Sequence, residues 1–275
     1  MQVLIIVHIF YPEVWPEIAD GLAQLGRPFD LCVTCVRDEA EIAAMVHERF
    51  PRAKVEVVDN CGFDMGPFFH VLNSVELDDY DIVVKLHTKR DVPAMYEMRG
   101  YLNGSDFRNR LLSFTRTSQS WEQSMNTLLK RGVGMVADSG VMLNRFSDPL
   151  REYTGVFQIL QKVGLGYRGG FFAAGSMFMA RASLLKSFQG RFTLADFEVP
   201  DRSKGDCLPH FLERAFGYAV YAQGYRLAGW DGKPFILSVY WWRIRRFLFH
   251  IHHGRHHDIY RICGIPIWYR RTCKD

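Results

Sequence analysis

The feature that most restricts the fold of this chain is an alternation of short apolar runs with amphipathic stretches between Val3 and Leu86. Val3–Ile9, Phe29–Val36, Lys54–Val58 and Asp81–Leu86 read as strands, each a brief run rich in β-branched or aromatic residues. Between them, Pro12–Leu25 places Trp15, Ile18, Leu22 and Leu25 at helical spacing, and Asp38–Phe50 does the same with Ile42, Met45, Val46 and Phe50. A turn-rich segment, Asp59–Pro67, follows the third strand and opens a helix through Leu72. Strands separated by helices predict a mostly parallel sheet with right-handed crossovers. Farther along, helices are expected over Ser105–Phe114 with Ser105 as N-cap, Ser118–Lys130, Asp148–Val163 and Cys207–Phe216. Val133–Ala137 and Met177–Ala180 read as strands, and Gly169–Ser176 as a run of small residues.

Composition agrees with one large α/β domain. Of 275 residues 48% are hydrophobic and 23% charged, which suits a chain with a real core and excludes general disorder. The net charge of +4 is unevenly placed: Arg243–Asp275 holds eight Lys and Arg against two Asp, with five His. The rest is near neutral, and no nucleic-acid partner is expected. The six cysteines are scattered and do not form a disulfide framework. Cys32 and Cys35 are three apart within a strand-like run, so they face opposite ways and make a poor zinc or redox pair. No export signal or membrane-spanning run is visible, and a cytoplasmic setting is expected. Residues 1–233 are read as one domain and 234–275 as a basic, aromatic, helical extension.

In open parallel sheets, ligands bind beyond the carboxyl ends of the strands, and three polar clusters fall there. Asn60, Gly62 and Asp64 occupy the turn after the third strand. The glycine admits close backbone approach, and the following helix start offers N–H groups to an anion. Asp64 suits ribose hydroxyls or a base. Lys85, His87 and Lys89 share one face at the end of the fourth strand, where three donors suit a diphosphate. Asp206, His210, Glu213 and Arg214 cluster at a helix start. For each cluster a purely structural use competes: a capped turn, a solvated basic loop, or an N-cap with an intrahelical ion pair.

These clusters, taken in order, carry a resemblance. Asn60-x-Gly62-x-Asp64-x-x-Pro67, Lys85-x-His87-Thr88-Lys89, Phe171-Phe172-x-Ala174-Gly175-Ser176-Met177-Phe178 and Asp206-x-x-x-His210-x-x-Glu213-Arg214 resemble the rhamnan synthesis protein F family. The opening Val7-His8-Ile9-Phe10-Tyr11 is similar to that family's first strand. The likeness runs from about residue 3 to 231, with Lys-x-His-Thr-Lys its most distinctive element. The chain departs from the family pattern at Cys61 and Phe63, where arginines usually flank the glycine, and at Cys207-Leu208, where Gly-Thr is usual.

The resemblance implies a GT-A-like α/β fold. It also implies an inverting glycosyltransferase that moves a sugar, with rhamnose from dTDP-rhamnose as one candidate, from a nucleotide diphosphate to a glycan or lipid-linked glycan. It assigns His8, Asn60, Gly62, Asp64, Lys85, His87, Lys89 and Arg214 to the donor, and Gly175 and Ser176 to the acceptor side. Asp206 is then the general base, with His210 or Glu213 as the alternative. No Asp-x-Asp stands at the end of the fourth strand, so cationic side chains are expected in place of a metal, and no cofactor is required. The competing class is a catalytically idle glycosyltransferase-like subunit that binds glycan or a partner.

The tail completes the reading. Ile236–His253 is read as one helix with an apolar arc of Ile236, Tyr240, Ile244, Phe247, Leu248 and Ile251, flanked by Arg243, Arg245, Arg246 and His250. Trp242 and Phe249 break through the far side. Aromatics among arginines suit peripheral contact at the inner face of the cytoplasmic membrane, while the same arc suits packing on the domain. The histidines from His250 to His257 have no spacing that fixes a metal geometry, which weighs against a metal-dependent hydrolase.

Overall fold

A computed structural model describes residues 1–36, 39–91, 96–97, 101–148, 150, 152–197, 207–253 and 257–271. The chain divides into two units, Met1–Lys233 and Pro234–Asp275.

The first unit is built on a seven-stranded sheet. Its strands are β1 (Val3–Ile9), β2 (Asp30–Cys35), β3 (Lys54–Val57), β4 (Ile82–His87), β5 (Val133–Ala137), β8 (Phe178–Arg181) and β9 (Arg226–Gly229). A further pair, β6 (Met142–Leu143) and β7 (Phe172–Ala173), forms a small separate ladder. The main order is β9-β5-β8-β4-β1-β2-β3, parallel throughout except for β8, which runs against both neighbours. All seven residues of β1 are buried, as expected of a central strand covered on both faces.

Helices connect the strands: α1 (Trp15–Ala23), α2 (Glu39–His47), α3 (Met65–Ser74), α4 (Gly104–Leu112), α5 (Ser118–Leu129), α6 (Thr154–Lys162) and α7 (Leu208–Ala222). α3 and α7 matter most for the site. Phe68 and Phe69 of α3, Phe216 of α7 and Phe178 of β8 form one aromatic cluster, with Phe216 at 5.7 Å from Phe68 and 5.6 Å from Phe178 between ring centroids. Such pairs add to the apolar burial that fixes both helices against the sheet. They set the first turns of α3 and α7 at one edge.

Several expectations are corrected. The cap of α4 is Asn103, whose side chain accepts from Asp106 N at 2.7 Å, rather than Ser105. The helix expected from Asp148 begins only at Thr154, because the Asp148 carboxylate is already committed to Arg214, Tyr153 and the Leu150 amide. The small-residue run before β8 contains β7, and β9 carries too short a run to read. In the second unit, α8 (Ile236–Leu248) ends five residues before His253. The extension is therefore helical only in part. It continues as an antiparallel sheet of β10 (Phe249–His253), β11 (His257–Ile262) and β12 (Ile265–Arg271). Cys263 and Gly264 turn the last hairpin with φ of 49° and 78°, the backbone a two-residue reversal requires.

Candidate active site

The carboxyl ends of β1 and β4 lie side by side, with His8 opposite His87 in the ladder. Because β8 is antiparallel, its entering end reaches the same edge, and Gly175-Ser176 arrives there with it. The turn into α3 and the first turn of α7 close the remaining sides. Together they enclose a cavity of about 680 Å³, whose lining includes His8, Asn60, Asp64, His87, Lys89, Ser176, His210 and Glu213. Residues scattered across four sequence motifs are thus brought to one place.

The turn into α3 depends on Gly62. Its φ is 67°, and a Cβ there would overlap the Phe197 ring, so a side chain is excluded on two counts. Phe63 follows with φ of 53° and stacks on His210, with ring centroids 5.8 Å apart. Asp64 then turns inward. It makes no capping bond to α3; its Oδ2 accepts from Lys85 Nζ and from Ser176 Oγ at 2.5 Å.

Lys85 does not face the cavity as a phosphate ligand would. Its side chain is 1% exposed, and Nζ donates to Asp64, to Ser176 O at 3.1 Å and to Ser176 Oγ at 3.2 Å. All three ammonium hydrogens have partners within the protein. Burial alone would raise the Asp64 carboxyl, but the Lys85 charge and the hydrogen bonds from Lys85 and Ser176 outweigh it and hold the group well below the usual carboxylate range. Of the three donors expected on that face, Lys85 is held in a compensated ion pair beneath neutral imidazoles, and Lys89 lines the cavity.

Those imidazoles are His8 and His87. Burial is the largest influence on both, lowering His8 to about 4 and His87 to about 3 against the upward pull of Asp64. His8 Nδ1 is 3.1 Å from Thr34 Oγ1. His87 Nδ1 lies 3.6 Å from Asp64 Oδ2 and has no hydrogen-bond partner among the described residues. Between them, Thr88 Oγ1 accepts from the amides of Phe10 and Tyr11 at 2.9 and 2.8 Å, tying the end of β4 to that of β1.

Folded-state pKa values below the ordinary 6.5 mean that the unfolded chain binds more protons between roughly pH 4 and 6.5. Stability therefore falls as pH drops through that window. At pH 5 the loss is about 1–2 kcal/mol per histidine by linkage. Urea unfolding at pH 7 and pH 5 measures it directly; equal midpoints would mean that one or both imidazoles are solvated in the native state.

The first two turns of α7 supply His210 and Glu213. Cys207 is the N-cap of α7, and its Sγ lies 3.2 Å from His210 Nδ1. That contact raises the His210 pKa; burial pushes the Cys207 thiol up, but the contact outweighs it and leaves the thiol below its usual value. Glu213 has both oxygens engaged, one by the Gly175 amide and one by Arg214. Arg214 is not available to a donor phosphate. Its Nε and Nη2 each donate to Asp148 at 2.8 Å, and it is not part of the cavity wall. Asp206 lies outside the described residues. Sequence reasoning gave no site role to Asp148, whose partner is 66 residues away, nor to Phe10, Tyr11 and Arg90, which line the cavity and stand within or beside the first-strand and fourth-strand motifs. Arg90 is ion-paired to Glu13 and lies 4.7 Å over the Tyr11 ring.

Fold and site together define an α/β protein with a cavity at the carboxyl edge of a mainly parallel sheet. The chain belongs to the rhamnan synthesis protein F family, whose model matches residues 1–225. It is 26% identical over 233 residues to the uncharacterized protein WxcX of Xanthomonas campestris pv. campestris strain B100, and 25% identical to WxcX of strain ATCC 33913. Each alignment covers 81% of this chain and 32% of the relative, so the chain spans about a third of the length of the curated relatives it matches. Among solved structures it is similar to S. aureus TarS 1-349, with a TM-score of 0.46 and 12% identity, covering 85% of this chain and 59% of that one.

Proposed function

We propose that the chain is a glycosyltransferase of GT-A-like fold that moves a sugar from a nucleoside diphosphate to a glycan or lipid-linked glycan in polysaccharide synthesis. Family membership supports this class. The single observation that carries it is the convergence of His8, Asn60, Asp64, His87, Lys89, Ser176, His210 and Glu213 on one cavity at the carboxyl edge. The inner wall is rich in acceptors and carries neutral imidazoles, which suits hydroxyl groups. The basic residues lining the rim after β4 are Lys89 and Arg90, which suit the diphosphate. Among the described residues no three His, Cys, Asp or Glu side chains gather to hold a metal ion. In this reading Lys89 and Arg90 neutralise the leaving diphosphate, rhamnose is the first sugar to try, and attack on the anomeric carbon inverts it.

The experiment is calorimetry with dTDP, UDP and GDP in the presence of EDTA. The wild-type protein binds at least one, and Lys89→Ala weakens that binding by ~1–3 kcal/mol, the range for losing a charged hydrogen bond. Binding by none of the three, or undiminished binding by the variant, would remove the assignment of the rim to the diphosphate.

The second unit gives the enzyme a way to stay near a lipid-linked acceptor. Trp241, Phe247 and Phe249 are exposed, as are Ile265, Ile267, Trp268 and Tyr269 on β12, with Arg245, Arg270 and Arg271 also exposed. The side chains of Trp242, Arg243, Arg246 and His250 lie outside those described, as does much of the histidine run. No described helix is long and apolar enough to cross a membrane. Each arginine near an anionic surface contributes ~1 kcal/mol, screened by salt. The protein is expected to sediment with phosphatidylserine-containing vesicles at low salt and to be partly released at high salt. Replacing Arg243, Arg245 and Arg246 by Glu should release it with the fold intact; wild-type protein that ignores such vesicles would end the membrane reading.

A further inference from the structure

Two buried ion networks, built on different elements, end on adjacent backbone groups. The first starts at Asp148, whose side chain is 0% exposed. Its carboxylate accepts both Nε and Nη2 of Arg214, the Tyr153 hydroxyl at 2.5 Å and the Leu150 amide at 3.2 Å. Arg214 Nη1 donates onward to Glu213 and to His210 O at 2.9 Å. Glu213 then accepts the Gly175 amide. The second network is the Lys85–Asp64 pair, which holds Ser176 by its carbonyl and its hydroxyl.

Ser176 needs such a hold, and Gly175, free to take a positive φ, leads into it. The φ values of Gly175 and Ser176 are 85° and 51°, and a residue with a Cβ stays in the left-handed region only where its surroundings over-determine it. The two networks do so from opposite sides, one on each residue. The corner faces the cavity, and so does Glu213, whereas Asp148 is not part of the cavity wall. Arg214 stands between two carboxylates, so the Asp148–Arg214–Glu213 trio carries a formal net negative charge. Of the trio only Glu213 lines the cavity, where its carboxylate repels a diphosphate and offers hydroxyl groups the lone pairs that the Gly175 amide and Arg214 leave free.

We infer that Asp148 is a positioning residue of the cavity: through Arg214 and Glu213 it fixes the Gly175–Ser176 corner as the wall against which sugar hydroxyls are set. The ligand half of this inference rests on the sugar-nucleotide reading; the clamp itself does not. Asp148 makes no contact with substrate in this scheme and acts only through the chain of charges to the Gly175 amide.

The test replaces Asp148 by Asn, which keeps the shape and removes the charge that holds Arg214. Amide hydrogen exchange is followed without ligand over residues 171–178 and over β1 and β5. Exchange at 171–178 should quicken at least tenfold while β1 and β5 keep their wild-type protection. Nucleoside diphosphate binding should stay within twofold of wild type while turnover with a sugar nucleotide falls at least tenfold. A purely structural ion pair would instead loosen the strands together with the corner, and unchanged exchange at 171–178 in a folded variant would likewise overturn the inference. If Asp148→Asn does not fold, Arg214→Lys is judged by the same exchange pattern, since a lysine cannot bridge both carboxylates with a planar fork. Failure of the sugar-nucleotide reading shows separately, as wild-type protein that binds none of dTDP, UDP and GDP.

Discussion

Replacing Asp206 by Asn is expected to lower turnover by ~10²–10⁴ while leaving donor binding nearly unchanged, the range for loss of a general base. The expectation rests on the family likeness and on position. Residue 206 directly precedes Cys207, the N-cap of α7, and the first two turns of that helix carry Pro209, His210 and Glu213 into the cavity wall. A carboxylate at a helix start is stabilised by the helix dipole, and the amide of Asn keeps its size without its basicity. Glu213 is the poorer base on geometry, because its two oxygens are taken by the Gly175 amide and Arg214. Steady-state rates with a working donor decide between them. An active Asp206→Asn beside an inactive Glu213→Gln would transfer the role to Glu213. Loss in Glu213→Gln alone, together with weakened nucleotide binding, would point to damage of the wall.

The second large effect is on stability. Lys85→Met is expected to destabilise the fold by ~3–5 kcal/mol, because removing one member of a buried ion pair leaves the other charge uncompensated. Asp64 would keep Ser176 Oγ and the distant His87, but no cation at contact distance among those described. For a chain of this size such a loss lowers the melting temperature by roughly 10 °C. The double variant Lys85→Met/Asp64→Leu should recover part of it, since an apolar pair of similar volume can replace a buried ion pair. Thermal unfolding of the three proteins is sufficient. A Lys85→Met protein melting with wild type would mean that Lys85 is solvated and again a candidate for the diphosphate.

That pairing marks where sequence reasoning stopped. β1 and β5 were legible to the residue, because short apolar runs bounded by polar residues allow few alternatives. The placing of three polar clusters beyond the strand ends followed from the strand–helix alternation, while Gly175 and Ser176 were assigned to the site only through the family resemblance. What Lys85 touches did not follow. A lysine ending an apolar strand must meet an anion, and the spacing cannot say whether that anion is a ligand phosphate or Asp64, 21 residues earlier in the chain. Arg214 posed the same ambiguity, resolved by Asp148 at a separation of 66 residues. Elements of two to four residues, such as β6, β7 and β9, are too short to show a period. In the tail, α8 and β10 share a run of aromatics and basic residues that fits a helical arc, so the change of conformation at Phe249 left no mark in the pattern.

The reversed strand β8 has a consequence for how the cavity can vary. All four of its residues pair with β4, Phe178 opposite Lys85, and two of them pair with β5 as well, so that Met179 lies between Val84 and Val136. A slip of one residue would turn every side chain of β8 to the other face and carry Phe178 out of its aromatic cluster. The height of the corner above the sheet edge is therefore set by the register of a central strand, and no loop length can adjust it. Insertions between β4 and α4, or between β3 and α3, can reshape what the cavity admits, since Thr88, Lys89 and Arg90 line it from the first connection and Asn60, Phe63 and Asp64 from the second. The wall at residues 175–176 stays where the sheet puts it, a fixed datum from which the other sides of the site are measured.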